Sequence, residues 1–183
     1  MLNTNDVTSN KLKDEQYTWL VNELKNNTAT WTIVVMHNPI YSVGKYGANP
    51  DRNQIALALR LQLQGIFAQY GVDLVLQGHD HAVSRTYPID ENGVPLAETF
   101  DDVNGVEYSV NPKGVLYLMN GTSGGQTRSP HKVDETLYKY AEASTSRMWA
   151  EFSINGQMME ITVKACNGTD VTEVKKWGIK KTA

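Results

Sequence analysis

Apolar residues recur along this chain with two different periods, and the change of period divides it. Tyr17, Leu20, Val21 and Leu24 fall at the i, i+3, i+4, i+7 spacing of one helical face. Asn26-Asn27-Thr28 breaks that pattern. Trp31 to Met36 (WTIVVM) is an unbroken apolar, β-branched run, which predicts a strand buried on both faces. His37-Asn38-Pro39 ends it, because proline cannot donate to a strand ladder. Tyr41 to Asn49 holds two glycines and predicts a loop, and Asn49-Pro50 supplies a cap and first turn for a second helix. Ile55, Leu59, Leu63, Ile66, Phe67 and Tyr70 continue its stripe, with Gly71 placed to end it. Val72 to Gln77 (VDLVLQ) is a second strand, running directly into Gly78-His79-Asp80-His81.

A helix between two apolar strands predicts a parallel pair in an α/β sheet. Ligands of such sheets bind beyond the carboxyl ends of the strands. Three of the four histidines, His37, His79 and His81, lie at those ends. The second half changes character. Asn92-Gly93 and Asn155-Gly156 are hairpin signals, and the latter separates Met148–Ile154 from Met158–Val163 as an antiparallel pair. Val115 to Met119 predicts another strand, followed by a glycine-rich loop over Gly121 to Gly125, and Asp101 to Lys113 reads as a surface excursion. The expected organisation is a polar lead-in over residues 1–10, a helix–strand–helix–strand unit over 11–89 and mostly antiparallel strands over 90–183, all in one domain.

Composition narrows the classes. The chain has 183 residues, 40% hydrophobic and 20% charged, which is globular usage and excludes overall disorder. A net charge of −3 without a basic run carries no nucleic-acid-binding signature. No apolar stretch has the length of a membrane span, and the polar start lacks a signal-peptide core. Cys166 is the single cysteine, which excludes an intrachain disulfide and a cysteine zinc cluster. Sequons at Asn26, Asn120 and Asn167 matter only in a glycosylating pathway.

Neutral imidazole is a common ligand for Zn, Fe and Mn. One histidine after a strand is more often a polar loop residue, but clusters at two adjacent strand ends change that balance. His79 and His81, two residues apart, point the same way in an extended segment; a turn after Gly78 would instead fan them toward two neighbouring ions. His131, among Ser129, Pro130 and Lys132, reads as an exposed loop residue outside the metal site. No Gly-Lys-Ser/Thr follows Gly121, Gly124 and Gly125, so this is not a phosphate loop.

The stretches VVMHNPIYS (34–42) and GVDLVLQGHDHAVSRTYPI (71–89) resemble the last two motifs of the calcineurin-like metallophosphoesterases, in their purple-acid-phosphatase-like branch. Gln16 to Leu20 is similar to the helix preceding that pattern, and Phe152 to Lys176 to the closing strands. The resemblance implies hydrolysis of a phosphate ester at a dinuclear centre of Fe, Mn or Zn. It assigns His37 and His79 to one metal and His81 to the other. Tyr41, Asp80 and Arg85 fall where substrate contacts are expected, with packing as the alternative for Tyr41, a solvent-facing position for Asp80 and a structural role for Arg85.

The resemblance also implies the C-terminal half of a four-layer α/β/β/α sandwich with mixed sheet, hence a partial domain. The family's Asp-x-His, Gly-Asp-x-x-Asp and Gly-Asn-His-Asp/Glu motifs do not occur in these residues. Three neutral imidazoles without the bridging carboxylate do not balance two metal charges, so the chain alone is expected to hold at most one ion weakly and to hydrolyse inefficiently. An N-terminal half of the same protein or a homodimer would complete it. The alternative is a catalytically inactive binding or structural domain on the same scaffold. Relatives of this branch are often exported, which implies an extracellular or cell-surface setting for a full-length parent.

Overall fold

The computed structural model describes residues 1–44, 54–131, 133–144 and 146–182. The expected helix start at Asn49-Pro50 lies outside them. In chain order the elements begin with a small hairpin, β1 (Val7–Thr8) and β2 (Lys11–Leu12), and helix α1 (Asp14–Asn26). Then come β3 (Ile33–Val35), α2 (Gln54–Gln69), β4 (Leu74–Gln77), β5 (Val83–Thr86), β6 (Phe100–Val103), β7 (Val106–Val110) and β8 (Leu116–Asn120). The closing strands are β9 (Tyr138–Glu142), β10 (Arg147–Asn155), β11 (Met158–Asn167) and β12 (Asp170–Lys180).

Two five-stranded sheets result. The first has the order β3-β4-β8-β5-β9, with β3, β4 and β8 mutually parallel and β5 antiparallel to both its neighbours. The second has the order β10-β11-β12-β7-β6 and is antiparallel except where β12 meets β7. The helices cover one face of the first sheet. Leu20 and Leu24 of α1 and Leu59, Leu63 and Phe67 of α2 form a core with Val34, Val75 and Tyr117. The other face meets the second sheet, with Leu74, Leu116 and Leu118 against Met159, Ile161, Trp177 and Ile179. Each such fully buried side chain contributes about 1.5–3 kcal/mol. These are three layers of the expected sandwich; among the described residues no helix covers the outer face of the second sheet, where Val171 is exposed.

The helix–strand–helix–strand unit forms as the apolar spacing predicts, but β3 is not buried on both faces. It is the edge strand, and Val35 is 38% exposed while Val34 is buried. The polar lead-in contributes Leu2 to the helical core, where it bridges Met36 in parallel beside β3. The excursion over 101–113 is in fact the β6–β7 hairpin, with Val106 and Tyr108 turned inward. Its signal was Asn104-Gly105: both residues have positive φ, 55° and 80°, the geometry of a two-residue hairpin turn. By contrast, Asn92-Gly93 makes a turn flanked only by the isolated bridge Ile89–Pro95.

Between the sheets Arg85 is buried, with its Nη1 and Nη2 both donating to the Glu98 carboxylate and its guanidinium 4.2 Å from the Trp177 ring centre. Both side chains of this ion pair are almost wholly removed from water. Glu98→Ala leaves the Arg85 charge buried without its partner and is expected to destabilise the fold by about 3–5 kcal/mol. Glu151→Ala, which breaks the exposed pair with Lys164, should cost less than about 1 kcal/mol. Urea unfolding of both variants checks this, and equal losses would contradict it.

Candidate metal centre

Three parallel strands, β3, β4 and β8, end side by side, and their carboxyl ends carry the site. The segment after β3 is pinned from two directions. The Asn38 backbone N–H donates to Thr4 Oγ1 (2.8 Å), and its side-chain amide donates to the Thr4 carbonyl (2.7 Å). From the other side Gln77, the last residue of β4, reaches across. Its Oε1 accepts from the Ile40 and Tyr41 N–H groups at 2.7 and 3.0 Å, and its Nε2 donates to the Tyr41 carbonyl at 2.7 Å. The next backbone N–H, that of Gly78, donates to the His37 carbonyl at 3.1 Å. A side chain at Gly78 would meet the His37 ring and carbonyl at 3.3–3.4 Å, so glycine permits the close approach.

His37 and His79 are thereby brought together edge to face, with ring centres 5.4 Å apart and planes at 86°. His79 has φ 70°, in the left-handed region, so the chain turns sharply there instead of staying extended. That turn departs from the extended geometry in which His79 and His81 would point the same way. His81 Nδ1 lies 2.5 Å from the Gln126 carbonyl. A carbonyl only accepts, so Nδ1 carries a proton, and in the neutral ring the lone pair is then on Nε2. Such a bond to the remote nitrogen is the usual way a ligating imidazole is oriented. Burial, then the neighbouring His79 and His81, holds the His37 ring below its ordinary value of 6.5, which keeps its lone pair available. Among the described residues no three His, Cys, Asp or Glu side chains converge as a complete ligand set for one ion. Among them His37 and His79 meet edge to face, while His81 is bonded separately to the Gln126 carbonyl.

Asp80 is neither solvent-facing nor loosely placed. It is buried, accepts a 2.5 Å hydrogen bond from Ser42 Oγ, and sits so near Gly44 that a Cβ there would lie 2.2 Å from its carboxyl carbon. A cleft of about 430 Å³ opens beside it, lined by Gly44, His79, Asp80 and His81 together with Arg128, Ser129, Pro130 and His131. His131 is exposed as expected, yet it faces the same cleft as the two histidines of the last motif. Arg85 and Tyr41 do not border it. Arg85 is held between the sheets, and Tyr41 is buried, donating its hydroxyl to Gln64 Oε1 (2.8 Å) and packing on Tyr117. Both support the site through packing.

A family model described as calcineurin-like phosphoesterase matches residues 1–83, the span that holds both histidine motifs. The purple acid phosphatase of Glycine max is 30% identical over 165 residues, covering 82% of this chain and 33% of that protein. Tartrate-resistant acid phosphatase type 5 of Homo sapiens is 31% identical over 141 residues, covering 73% and 41%. A solved purple acid phosphatase from yellow lupin (Lupinus luteus) seeds superposes with a TM-score of 0.67 at 18% identity, over 91% of this chain and 28% of that one.

The chain belongs to the calcineurin-like metallophosphoesterases, in their purple-acid-phosphatase-like branch. It spans at most about two-fifths of the length of these curated relatives. The two sheets with their helices have the metallophosphoesterase α/β sandwich fold, and the family implies divalent or trivalent metal ions.

Two expectations follow from this geometry. Gln77→Ala strips partners from two backbone N–H groups and one carbonyl, all buried, and should destabilise the fold by about 3 kcal/mol or more in urea unfolding. A loss below about 1 kcal/mol would show that the lock is dispensable. For His37 the folded state binds a proton less readily than the unfolded chain. Its contribution is therefore intact above the ordinary value and turns destabilising as pH falls below it. Metal-free protein should lose stability from about pH 7 to 5 with a slope that His37→Asn reduces; an unchanged slope would refute this.

Proposed function

We propose that this metallophosphoesterase chain supplies the C-terminal portion of a phosphate-ester hydrolase, with His37, His79 and His81 as ligands of a dinuclear metal centre. The observation that carries this reading is the edge-to-face meeting of His37 and His79 at two adjacent parallel strand ends. These two rings would hold one ion. His81 would hold the second through Nε2, its Nδ1 proton being committed to the Gln126 carbonyl. Fe, Mn or Zn all suit imidazole donors, and such a pair of ions supplies Lewis acidity and water activation when bound.

The chain's own residues place and shape the site. Gln77 and Gly78 hold the two ligand loops at fixed separation. Asp80, tied to Ser42, borders the cleft and would contact the substrate or its water shell. Tyr41 and Arg85 would act from behind, by packing. The bridging carboxylate belongs to motifs that these residues do not contain. The edge of β3, where Leu2 pairs with Met36, is where a further strand, from a longer parent or a second copy, would join the sheet.

A second reading is a domain that binds without catalysing, and the lack of a complete three-residue ligand set among the described residues favours it. Elemental analysis after incubation with Mn and Zn separates the two. Uptake of two ions per chain favours the enzyme, and one favours an incomplete site. In either case His37→Ala and His79→Ala should abolish the same ion, while His81→Ala acts on a different one or on none. Uptake indifferent to all three substitutions would remove the basis for the metal centre.

A further inference from the structure

The segment that follows β8 folds back over the histidine loops as a strap, and it is fastened by bonds to the main chain. His81 Nδ1–H donates to the Gln126 carbonyl at 2.5 Å. The His131 N–H donates to the Val43 carbonyl at 2.7 Å. Arg128 is tied through its own backbone: its N–H donates to Ser144 Oγ (3.0 Å), and its carbonyl accepts from the Ser144 N–H (2.9 Å). Gly125 permits this path, since a Cβ there would lie 2.7 Å from His81 Cε1. None of these bonds uses the side chain of Arg128 or His131.

Those two side chains therefore stand clear of the strap's fastenings, and both residues line the same cleft as His79, Asp80 and His81. Arg128 commits Nη2 to Gln126 Oε1 at 3.2 Å. A guanidinium has five N–H donors in a planar fork, which suits the oxygens of a phosphoryl group. His131 adds an N–H donor on the same side. Asp80, which lines the same cleft, is buried and accepts from Ser42, so what the exposed strap offers there is N–H donors and the Arg128 positive charge.

We propose that Arg128 and His131 form an oxyanion-binding pair, gripping phosphoryl oxygens of the substrate in the cleft they share with the last-motif histidines. The pair extends the reading given above, and it places substrate recognition on the strap after β8, about fifty residues beyond the metal motifs.

Isothermal titration of this 183-residue chain with inorganic phosphate, with and without Mn, tests it. Removing a charge-assisted hydrogen bond weakens binding about tenfold or more. Arg128→Ala and His131→Ala should each do so, Arg128→Lys should recover part of the loss, and Mn content and unfolding midpoint should stay at wild-type values. Phosphate affinity unchanged in both alanine variants, or no phosphate binding by the wild type with or without Mn, overturns the proposal. Phosphate binding that depends on Arg128 in a chain that takes up no metal would leave the pair standing and reject the dinuclear centre instead.

Discussion

The structure depends on one buried side chain, Gln77, closing the gap between two strand ends. A parallel pair offers no short connection that could fix its carboxyl ends relative to each other, because the chain must travel through a helix between them. Here the link is made laterally. The Gln77 amide takes two N–H groups and one carbonyl from the segment after β3, and the Gly78 N–H adds the His37 carbonyl. The groups bonded to Gln77 are withdrawn from water, so each has a large penalty for parting. The His37–His79 geometry follows from this lock. The two imidazoles are exposed and could not hold each other in place, but their backbones are fixed within a rigid frame.

The helical half was legible in the sequence because its elements obey single, local periods. α1 and α2 bury the residues that the spacing picked out, Leu20 and Leu24, then Leu59, Leu63 and Phe67. Strand β3 was legible as a strand but not as an edge, since an apolar run reports intrinsic preference and says nothing of how many neighbours a sheet supplies. The β6–β7 hairpin was written in Asn104-Gly105, yet its first strand, Phe100 to Val103, is mostly exposed and shows no inward stripe. β5 was hidden for the opposite reason. Val83 to Thr86 is buried throughout, but three of its four residues are Ser84, Arg85 and Thr86, and it is buried because β8 and β9 flank it and because Glu98 and Trp177 take up the Arg85 guanidinium.

The same distinction governs the site. His37, His79 and His81 could be found because the strands that aim them are contiguous with them in sequence. Arg128 and His131 could not, because what brings them to the cleft is a strap whose fastenings, to Val43, His81 and Ser144, span from 16 to 88 residues of chain. Arg85 was drawn toward the substrate by its place in a motif. Its burial shows that a motif residue can serve the scaffold: a guanidinium that saturates a carboxylate and covers a tryptophan has no donors aimed outward.

A last step concerns why the histidine loops take such an unfavourable form. His79 sits at φ 70°, a left-handed conformation that costs a non-glycine residue about 1–2 kcal/mol. Asp80 is buried directly after it, and Gly44 and Gly78 give up side chains to let the loops close. None of this improves a core. A glycine at position 79 would relieve the strain, and an apolar residue at 80 would avoid withdrawing a carboxylate from water. Strain of this kind gathers where a structure is shaped for a task and not for its own stability. The feature common to these residues is that they hold imidazole lone pairs, one carboxylate and a cationic wall around a single cleft. Such an arrangement is what the proposed function requires, positive ions and an anionic ester meeting at one place, and it would set this strand-end cluster apart from histidines that merely decorate a loop.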